Sequence, residues 1–282
     1  MAKADLHIHT KASDGALEVP ELIKKISEKG LKIIAITDHD TIDGYTEAVK
    51  FISENNLNLE IISGVELTAL WNSMEVHLLA YAFDPENEPF LTLIAKQKMA
   101  RRKRMKEIVK LLNSKGVDID YEEIRAVSGK GNMGRPHAAS ILIKKGYVSS
   151  IPEAFIKYLS SDKIEGIKTG YQTIQQMVEI VKQAGGVLSI AHPGPIYSRK
   201  ELDELLSFGL DGIECIHPSH NFSVQRSYTQ IAKTNNLLIT GGSDYHGSNK
   251  SDYDPYLGTV TISQSHVDSI KRTATNRKRI LT

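Results

Sequence analysis

Two histidines, His7 and His9, lie two residues apart in a short apolar stretch near the beginning of the chain. Successive side chains of a β-strand point to opposite faces, so these two imidazoles would share one face of a strand. A carboxylate, Asp14, follows a few residues later. Imidazole nitrogens and carboxylate oxygens are ligands for zinc, manganese and iron, so this segment could supply part of a metal site.

Further histidines and carboxylates stand on, or just after, other apolar runs of the chain. They are His39, Glu66, His77, His192, Asp244 and His246. A single histidine on an apolar strand is more often a buried core residue than a ligand, but that explanation does not cover five or more at strand ends. Together the residues favour a cluster of divalent cations. We interpret His217 as structural and His266 as a surface residue.

Seven strand-like runs, which alternate with helical patterns in the first and last thirds of the chain, must position these residues. The runs are 5–9, 32–37, 60–67, 75–81, 186–192, 212–217 and 237–242. Strands that alternate with helices indicate parallel pairing, and we interpret the pattern as a seven-stranded (β/α) barrel of the α/β class. The carboxyl ends of barrel strands meet at one mouth, where the polar residues would converge.

The middle of the chain interrupts this alternation. It contains no convincing strand but three helical patterns, over residues 89–116, 135–146 and 152–161. We therefore predict a barrel made of residues 1–86 and 172–282, with residues 87–171 as a helical insert. The basic run KQKMARRKRMK (96–106) is either the solvated face of a long helix or a positive lip that attracts phosphorylated substrates.

Composition limits the function classes further. The net charge of +1 gives no argument for nucleic-acid or membrane binding, and we expect neither duplex DNA nor a membrane as a partner. The single cysteine, Cys215, excludes an intramolecular disulfide and fits a reducing cytoplasm. We expect a cytoplasmic protein without a signal peptide, because the N-terminus runs almost directly into the first strand. The apolar runs are too short for a membrane helix.

Six motifs now point to a known family. The segments HIHTKASDG (7–15), TDHD (37–40), GVEL (64–67), the histidine of EVH (75–77), AHPG (191–194) and SDYHG (243–247) occur in this order. They resemble the signature motifs of the polymerase and histidinol phosphatase (PHP) superfamily. The resemblance implies a distorted seven-stranded barrel with a trinuclear metal centre. It also implies hydrolysis of a phosphomonoester by a hydroxide formed on the metal ions.

The resemblance also assigns the ligands. It implies a first metal held by His7, His9, Glu66 and Asp244, a second held by Asp14, His39 and His246, and a third held by Glu66, His77 and His192. His39, Asp244 and His246 are the residues we expect to be catalytic. Asp14 stands where some relatives have histidine, and this harder ligand favours manganese or iron over zinc.

The insert narrows the resemblance to one branch of the superfamily. GNMGRPHAA (131–139) and AGGVLSIAHPG (184–194) resemble members that remove phosphate from nucleoside 3′,5′-bisphosphates, some of which trim short RNA from its 5′ end. In that branch the insert closes over the barrel mouth, which here implies phosphate contacts from Arg135 and His137. Lys168 and His220 are further candidates for substrate contacts. A structural ion pair is the alternative for Arg135, and a capping or core role is the alternative for His220.

Three other functions remain open at this point. The first is a PHP phosphatase of another small phosphomonoester, such as histidinol phosphate. The second is an amidohydrolase, whose barrel also begins with a His-x-His strand, although that class leaves TDHD unexplained. The third is a non-catalytic metal-binding module of a regulatory kind. The complete ligand set and the insert favour a nucleotide phosphoesterase.

Overall fold

The computed structural model describes residues 3–164, 166–167 and 169–281. Within these ranges the strands are β1 (Lys3–Ile8), β2 (Ile33–Ile36), β3 (Glu60–Ile62), β4 (Gly64–Trp71), β5 (Met74–Tyr81), β6 (Val187–Ile190), β7 (Gly212–Ile216), β8 (Leu238–Gly241) and β9 (Ile262–Ser263). The α-helices are α1 (Val19–Glu28), α2 (Asp43–Glu54), α3 (Glu88–Ser114), α4 (Tyr121–Ser128), α5 (Arg135–Lys144), α6 (Ile151–Ala154), α7 (Ile174–Gln183), α8 (Arg199–Ser207), α9 (Phe222–Thr234) and α10 (Gln264–Leu281). A π-helical turn, Phe155–Leu159, follows α6, and a 3-10 segment, Gly247–Tyr256, follows β8.

The strands form two sheets, with the orders β3-β2-β1-β9 and β4-β5-β6-β7-β8. The α/β class is confirmed, but the described residues form no closed seven-stranded barrel. The predicted strand 60–67 is two strands, since the chain leaves the first sheet after Ile62 and enters the second at Gly64. Glycine is needed at that crossing, because a Cβ on Gly64 would lie 2.8 Å from the carbonyl oxygen of Ile36.

Parallel pairing was the expectation throughout, and it is wrong for part of the second sheet and for β9, a strand that was not predicted and that pairs antiparallel with β1. Strand β5 pairs antiparallel with both β4 and β6. Asn72 and Ser73 connect β4 to β5 with positive φ angles of 47° and 66°, as a type I′ hairpin requires. The tight turn places Thr68 opposite His77, so that β4 and β5 can direct side chains to the same place.

The predicted helices 89–116 and 135–146 are present as α3 and α5, whereas the predicted helix 152–161 is the short α6 and the π-helical turn after it. Local chemistry explains several helix ends and faces. Thr173 and Gln176 form a capping box at the start of α7. In α1, Leu22, Ile23 and Ile26 are buried on one face, which packs in a core with Ile34 of β2. Helices α2, α4 and α10 are additional to the helices predicted by residue range.

Helix α3 belongs to two cores at once. Phe90, Leu93 and Ile94, near its beginning, pack in the large core formed with the second sheet. Farther along, Met105 and Ile108 begin a separate core that is built from residues between 105 and 164. The part of α3 between Ile94 and Met105 lies where the helices of residues 105–164 meet the sheets. No helix of the described chain is long and apolar enough to cross a membrane.

Candidate metal centre and substrate cavity

The nine predicted metal ligands come together at one end of the strands. They are His7, His9, Asp14, His39, Glu66, His77, His192, Asp244 and His246, and they contribute to overlapping groups and close pairs of ligand atoms. Two isolated bridges explain the convergence. Ile8 pairs with Tyr245, which aligns the residues that follow β1 and β8, and His39 pairs with Glu66, which joins the two sheets.

Glu66 lies at the centre of the cluster and is buried. Its Oε1 is 3.0 Å from His77 Nδ1 and 2.8 Å from His192 Nε2. Its Oε2 is 3.1 Å from His39 Nδ1, and it also lies 3.3 Å from His9 Nε2. Burial raises the pKa of Glu66, but the surrounding imidazoles, His39 first, hold that pKa well below its usual value. Each oxygen faces a different set of ligands, as a bridging carboxylate must.

Asp14 and Asp244 supply the other two carboxylates of the cluster. Asp14 Oδ1 is 3.4 Å from His246 Nε2, and Asp14 Oδ2 is 3.8 Å from His39 Nε2. Asp244 Oδ1 is 3.4 Å from the Nε2 atoms of both His7 and His9. Asp244 has a positive φ of 50°, a conformation that non-glycine residues rarely adopt and that is concentrated at functional sites.

Several ligand atoms in this cluster are buried without a hydrogen-bond partner. They include His9 Nε2, Asp14 Oδ1, His39 Nδ1 and His77 Nδ1. An unpaired buried polar atom normally costs about 1–3 kcal/mol, so several in one place call for an additional partner. Divalent cations would satisfy all of them. The donors are nitrogen and oxygen only, and this set fits manganese, iron or zinc.

Glu214, a buried residue in the middle of β7, was not predicted for the site. Its Oε1 lies 2.9 Å from His7 Nδ1, and its Oε2 accepts a hydrogen bond of 2.6 Å from the backbone N–H of His192. The contact leaves His7 Nε2 directed at the cluster, which is how carboxylates orient histidine ligands. A lone acidic residue in the apolar run GIECIH was the available signal.

The cluster forms one wall of a cavity of about 570 Å³, and the segment between α3 and α6 forms much of the opposite wall. Arg101, Arg104 and Arg135 line this cavity, together with the aromatic ring of Phe155. Two arginines of the basic run are therefore buried next to the cluster, whereas Arg102 and Lys103 between them are exposed. The run is a solvated helix face in part only.

Arg101 and Arg104 are paired with carboxylates. Arg101 Nε lies 2.5 Å from Asp40 Oδ2, and the neighbouring Gln97 donates to Asp40 Oδ1 at 3.1 Å. Arg104 Nε lies 2.5 Å from Glu75 Oε1, and Arg104 Nη2 donates to Glu75 Oε2 at 2.6 Å. These contacts attach α3 to the residues after β2 and to β5. Sequence reasoning included Asp40 in the TDHD motif without giving it a role, and it missed Gln97.

Arg135 differs from the other two arginines. Its Nη1 donates to the carbonyl oxygen of Leu159 at 3.2 Å, and its guanidinium lies over the ring of Phe155 at 5.4 Å. No carboxylate of the described residues lies within ion-pair distance of it. Burial and the neighbouring Arg104 lower the pKa of Arg135 to about 10, so it remains charged at neutral pH.

Two of the remaining substrate candidates, His137 and His220, do not line this cavity. His137 Nδ1 accepts a hydrogen bond of 3.0 Å from the N–H of Gly134, which caps α5, and His137 lines a neighbouring cavity instead. His220 Nδ1 contacts the carbonyl oxygen of Cys215, and its Nε2 accepts from the N–H of Gly194, each at 3.0 Å. These contacts fit the capping role left open for His220. Lys168 lies outside the described residues.

Comparison with known proteins identifies the family. The PHP domain model matches residues 5–192, and the chain therefore belongs to the PHP domain family. It is a metal-dependent phosphoesterase of this family. A solved structure from Bifidobacterium adolescentis, described as a metal-dependent phosphoesterase, is 32% identical, covers 96% of each chain and has a TM-score of 0.84.

Three curated relatives cover most of the chain. A 5′-3′ exoribonuclease of Haemophilus influenzae is 32% identical over 86% of this chain and 90% of its own length. A 3′,5′-nucleoside bisphosphate phosphatase of Chromobacterium violaceum is 27% identical over 90% of both chains. A phosphoribosyl 1,2-cyclic phosphate 1,2-diphosphodiesterase of Eggerthella lenta is 29% identical over 90% of this chain and 97% of its own. The relatives share phosphoester hydrolysis but differ in substrate.

Proposed function

We propose that this enzyme hydrolyses a phosphomonoester of nucleoside 3′,5′-bisphosphates and acts also on short 5′-phosphorylated RNA. One observation carries the proposal: the partly buried Arg135 guanidinium, which has no carboxylate partner among the described residues, lines the same cavity as the ligand cluster. A cation that is partly removed from water and has no counterion favours an anionic ligand, and a guanidinium can hold a phosphate through two parallel hydrogen bonds. A monophosphate engaged at the cluster would leave Arg135 without its anion.

We propose three ions for the centre, held by the nine residues described above, with manganese as the preferred metal. Glu66 would bridge, because its two oxygens face different histidines. Asp14 gives its part of the centre a harder ligand than histidine, which suits manganese or iron. When bound, such ions withdraw charge from a phosphate group and lower the pKa of a water molecule.

The chain's own residues would position the substrate within this cavity. Arg135 binds the second phosphate, while Glu75 holds the neighbouring Arg104 in place by two contacts. Ile151, Pro152 and Phe155 form an apolar wall against which a nucleoside can pack without hydrogen bonds to the edges of its base. Orientation between an anion site and the ligand cluster is itself a large contribution to rate.

We propose His39, Asp244 and His246 as catalytic residues, since all three line the cavity as well as the cluster. His246 Nδ1 contacts the carbonyl oxygen of Asp244 at 2.9 Å, which directs its Nε2 toward Asp14. We also propose that residues 87–171 act as an insert over the mouth of the cavity. A nucleotide or short RNA is the expected partner, in the cytoplasm, rather than duplex DNA.

The test is a substrate panel with manganese-loaded protein. Phosphate release is measured from adenosine 3′,5′-bisphosphate, AMP and histidinol phosphate, and mononucleotide release is measured from a 5′-phosphorylated RNA trimer. We expect the bisphosphate to have the highest kcat/KM and AMP to be a poor substrate. Equal rates on AMP and the bisphosphate would contradict the assignment of a second-phosphate site.

The Eggerthella lenta relative gives a second candidate, hydrolysis of a cyclic phosphodiester. A ribose 1,2-cyclic phosphate that carries a further phosphate would also present two anionic groups to this cavity. The panel therefore includes such a cyclic substrate. A higher kcat/KM for the cyclic substrate than for the bisphosphate would make the cyclic phosphodiester the substrate. The assignment of the cavity and of Arg135 as an anion site would stand.

A further inference from the structure

Asp244 uses its two oxygens for different purposes. Oδ1 faces the ligand cluster, at 3.4 Å from His7 Nε2, His9 Nε2 and His246 Nδ1. Oδ2 faces away from the cluster and is 3.2 Å from His217 Nε2. Lys250, which lines the cavity, contacts the same Oδ2. A carboxylate held in this way at one oxygen is restricted in how it presents the other.

His217 could act on this oxygen either as a metal ligand or as a hydrogen-bond donor. Ligand atoms of His7, His217 and Asp244 lie close enough together to hold an ion, so proximity alone does not decide. The hydrogen bonds at the other ring nitrogen do. The backbone N–H of Ser219, which can only donate, lies 3.1 Å from His217 Nδ1, and the Ser219 hydroxyl can donate to the same nitrogen at 2.8 Å. Nδ1 therefore carries a lone pair, and in the neutral ring the proton lies on Nε2.

We propose that His217 is a positioning residue, which donates its Nε2 proton to Asp244 Oδ2 and so presents Oδ1 to the metal centre. It is not a further metal ligand, because the nitrogen that faces the cluster carries the proton. His217 is 2% exposed, so water does not compete for this hydrogen bond. Such outer contacts fix the orientation of a ligand, and their loss typically costs about 10–100-fold in metal affinity or activity.

This inference rests on the proposed metal centre, and metal binding is therefore measured apart from turnover. Manganese is titrated into metal-free wild-type protein and into His217→Ala, and both the dissociation constant and the number of bound ions at saturation are determined. We expect the dissociation constant of His217→Ala to rise about 10–100-fold, with the same number of ions at saturation. Loss of one ion at saturation would make His217 a ligand and overturn the proposal.

A second variant keeps the test valid if His217→Ala does not fold. The side-chain amide of glutamine can donate a hydrogen bond to Asp244, so His217→Gln should bind manganese with an affinity close to that of the wild type. A folded His217→Gln protein with weak binding would overturn the donor role. An unchanged dissociation constant in His217→Ala would do the same.

A matched control comes from His266 on α10, which is partly buried and contacts Ser263 outside the cluster. His266→Ala should leave manganese binding unchanged. Wild-type protein that binds no manganese would contradict the proposed centre itself. Wild-type binding together with an unaffected His217→Ala protein would contradict only the positioning role.

Discussion

The two walls of the cavity solve opposite electrostatic problems. At the strand ends, Glu66 and its neighbours bring buried polar atoms together without completing their hydrogen bonds. On the opposite wall, Arg101 and Arg104 are each paired with a carboxylate, and only Arg135 of the three lacks one among the described residues. The first wall suits cations, and the second has room for one anion. We therefore propose that chemistry takes place at the ligand cluster and that recognition depends on the residues of the opposite wall.

The largest effect is expected from the centre of the first wall. Glu66→Gln keeps the shape of the side chain. It removes the negative charge that faces His39 at one oxygen and His77 at the other. We expect kcat/KM to fall by at least about 10³-fold, because stabilisation of developing charge supplies most of the rate in phosphoryl transfer. The exposed Glu60, which pairs with Lys271, gives the control Glu60→Gln. Near-normal turnover by Glu66→Gln would contradict the role of the centre.

On the second wall, the paired arginines should matter for stability. Arg101→Met leaves the buried Asp40 without its guanidinium, and breaking a buried pair typically costs about 3–5 kcal/mol. Urea unfolding measures the loss. The adjacent Arg102 is exposed, and Arg102→Met should change the free energy of unfolding by less than about 0.5 kcal/mol. Equal effects of the two substitutions would show that the Arg101 pair does not attach α3 to the sheets.

Removal of metal separates the two walls in another way. Manganese at 100 times the dissociation constant of each site should stabilise the wild-type protein, relative to the chelated protein, by about 2.7 kcal/mol for each independent site. The same stabilisation is expected for Arg135→Ala but should be much smaller for Glu66→Gln. Thermal unfolding with and without a chelator gives the comparison. A reduced metal response in Arg135→Ala would show that the two walls are coupled.

The sequence was most informative where local spacing carries the meaning. His7 and His9 share a strand face by simple alternation. Glu66 and Asp244 converge on the ligand cluster as predicted, although Glu66 is the third residue of β4 and not the end of a strand. The break between Ile62 and Gly64 could not be read in the same way, because the apolar pattern continues across it. The antiparallel pairing of β5 had one local signal, the Asn72–Ser73 turn.

Residues that act through tertiary contacts were harder to find. Gln97, Arg101 and Arg104 lie four and three residues apart on α3, a spacing that puts them on one helix face. Their partners, Asp40 and Glu75, come from distant segments, so the sequence alone does not show which cations of the run are buried. Glu214 was missed for the same reason, since its contact with His7 joins residues 207 positions apart.

The central claim is that the strand-end wall performs the reaction and that Arg135 recognises a second phosphate. The most direct test measures kcat/KM for adenosine 3′,5′-bisphosphate and for AMP, in wild-type protein and in Arg135→Ala, with saturating manganese. We predict that the substitution costs about 10–100-fold with the bisphosphate, the size of one or two charge-assisted hydrogen bonds, and little with AMP. An equal loss with both substrates would contradict the claim.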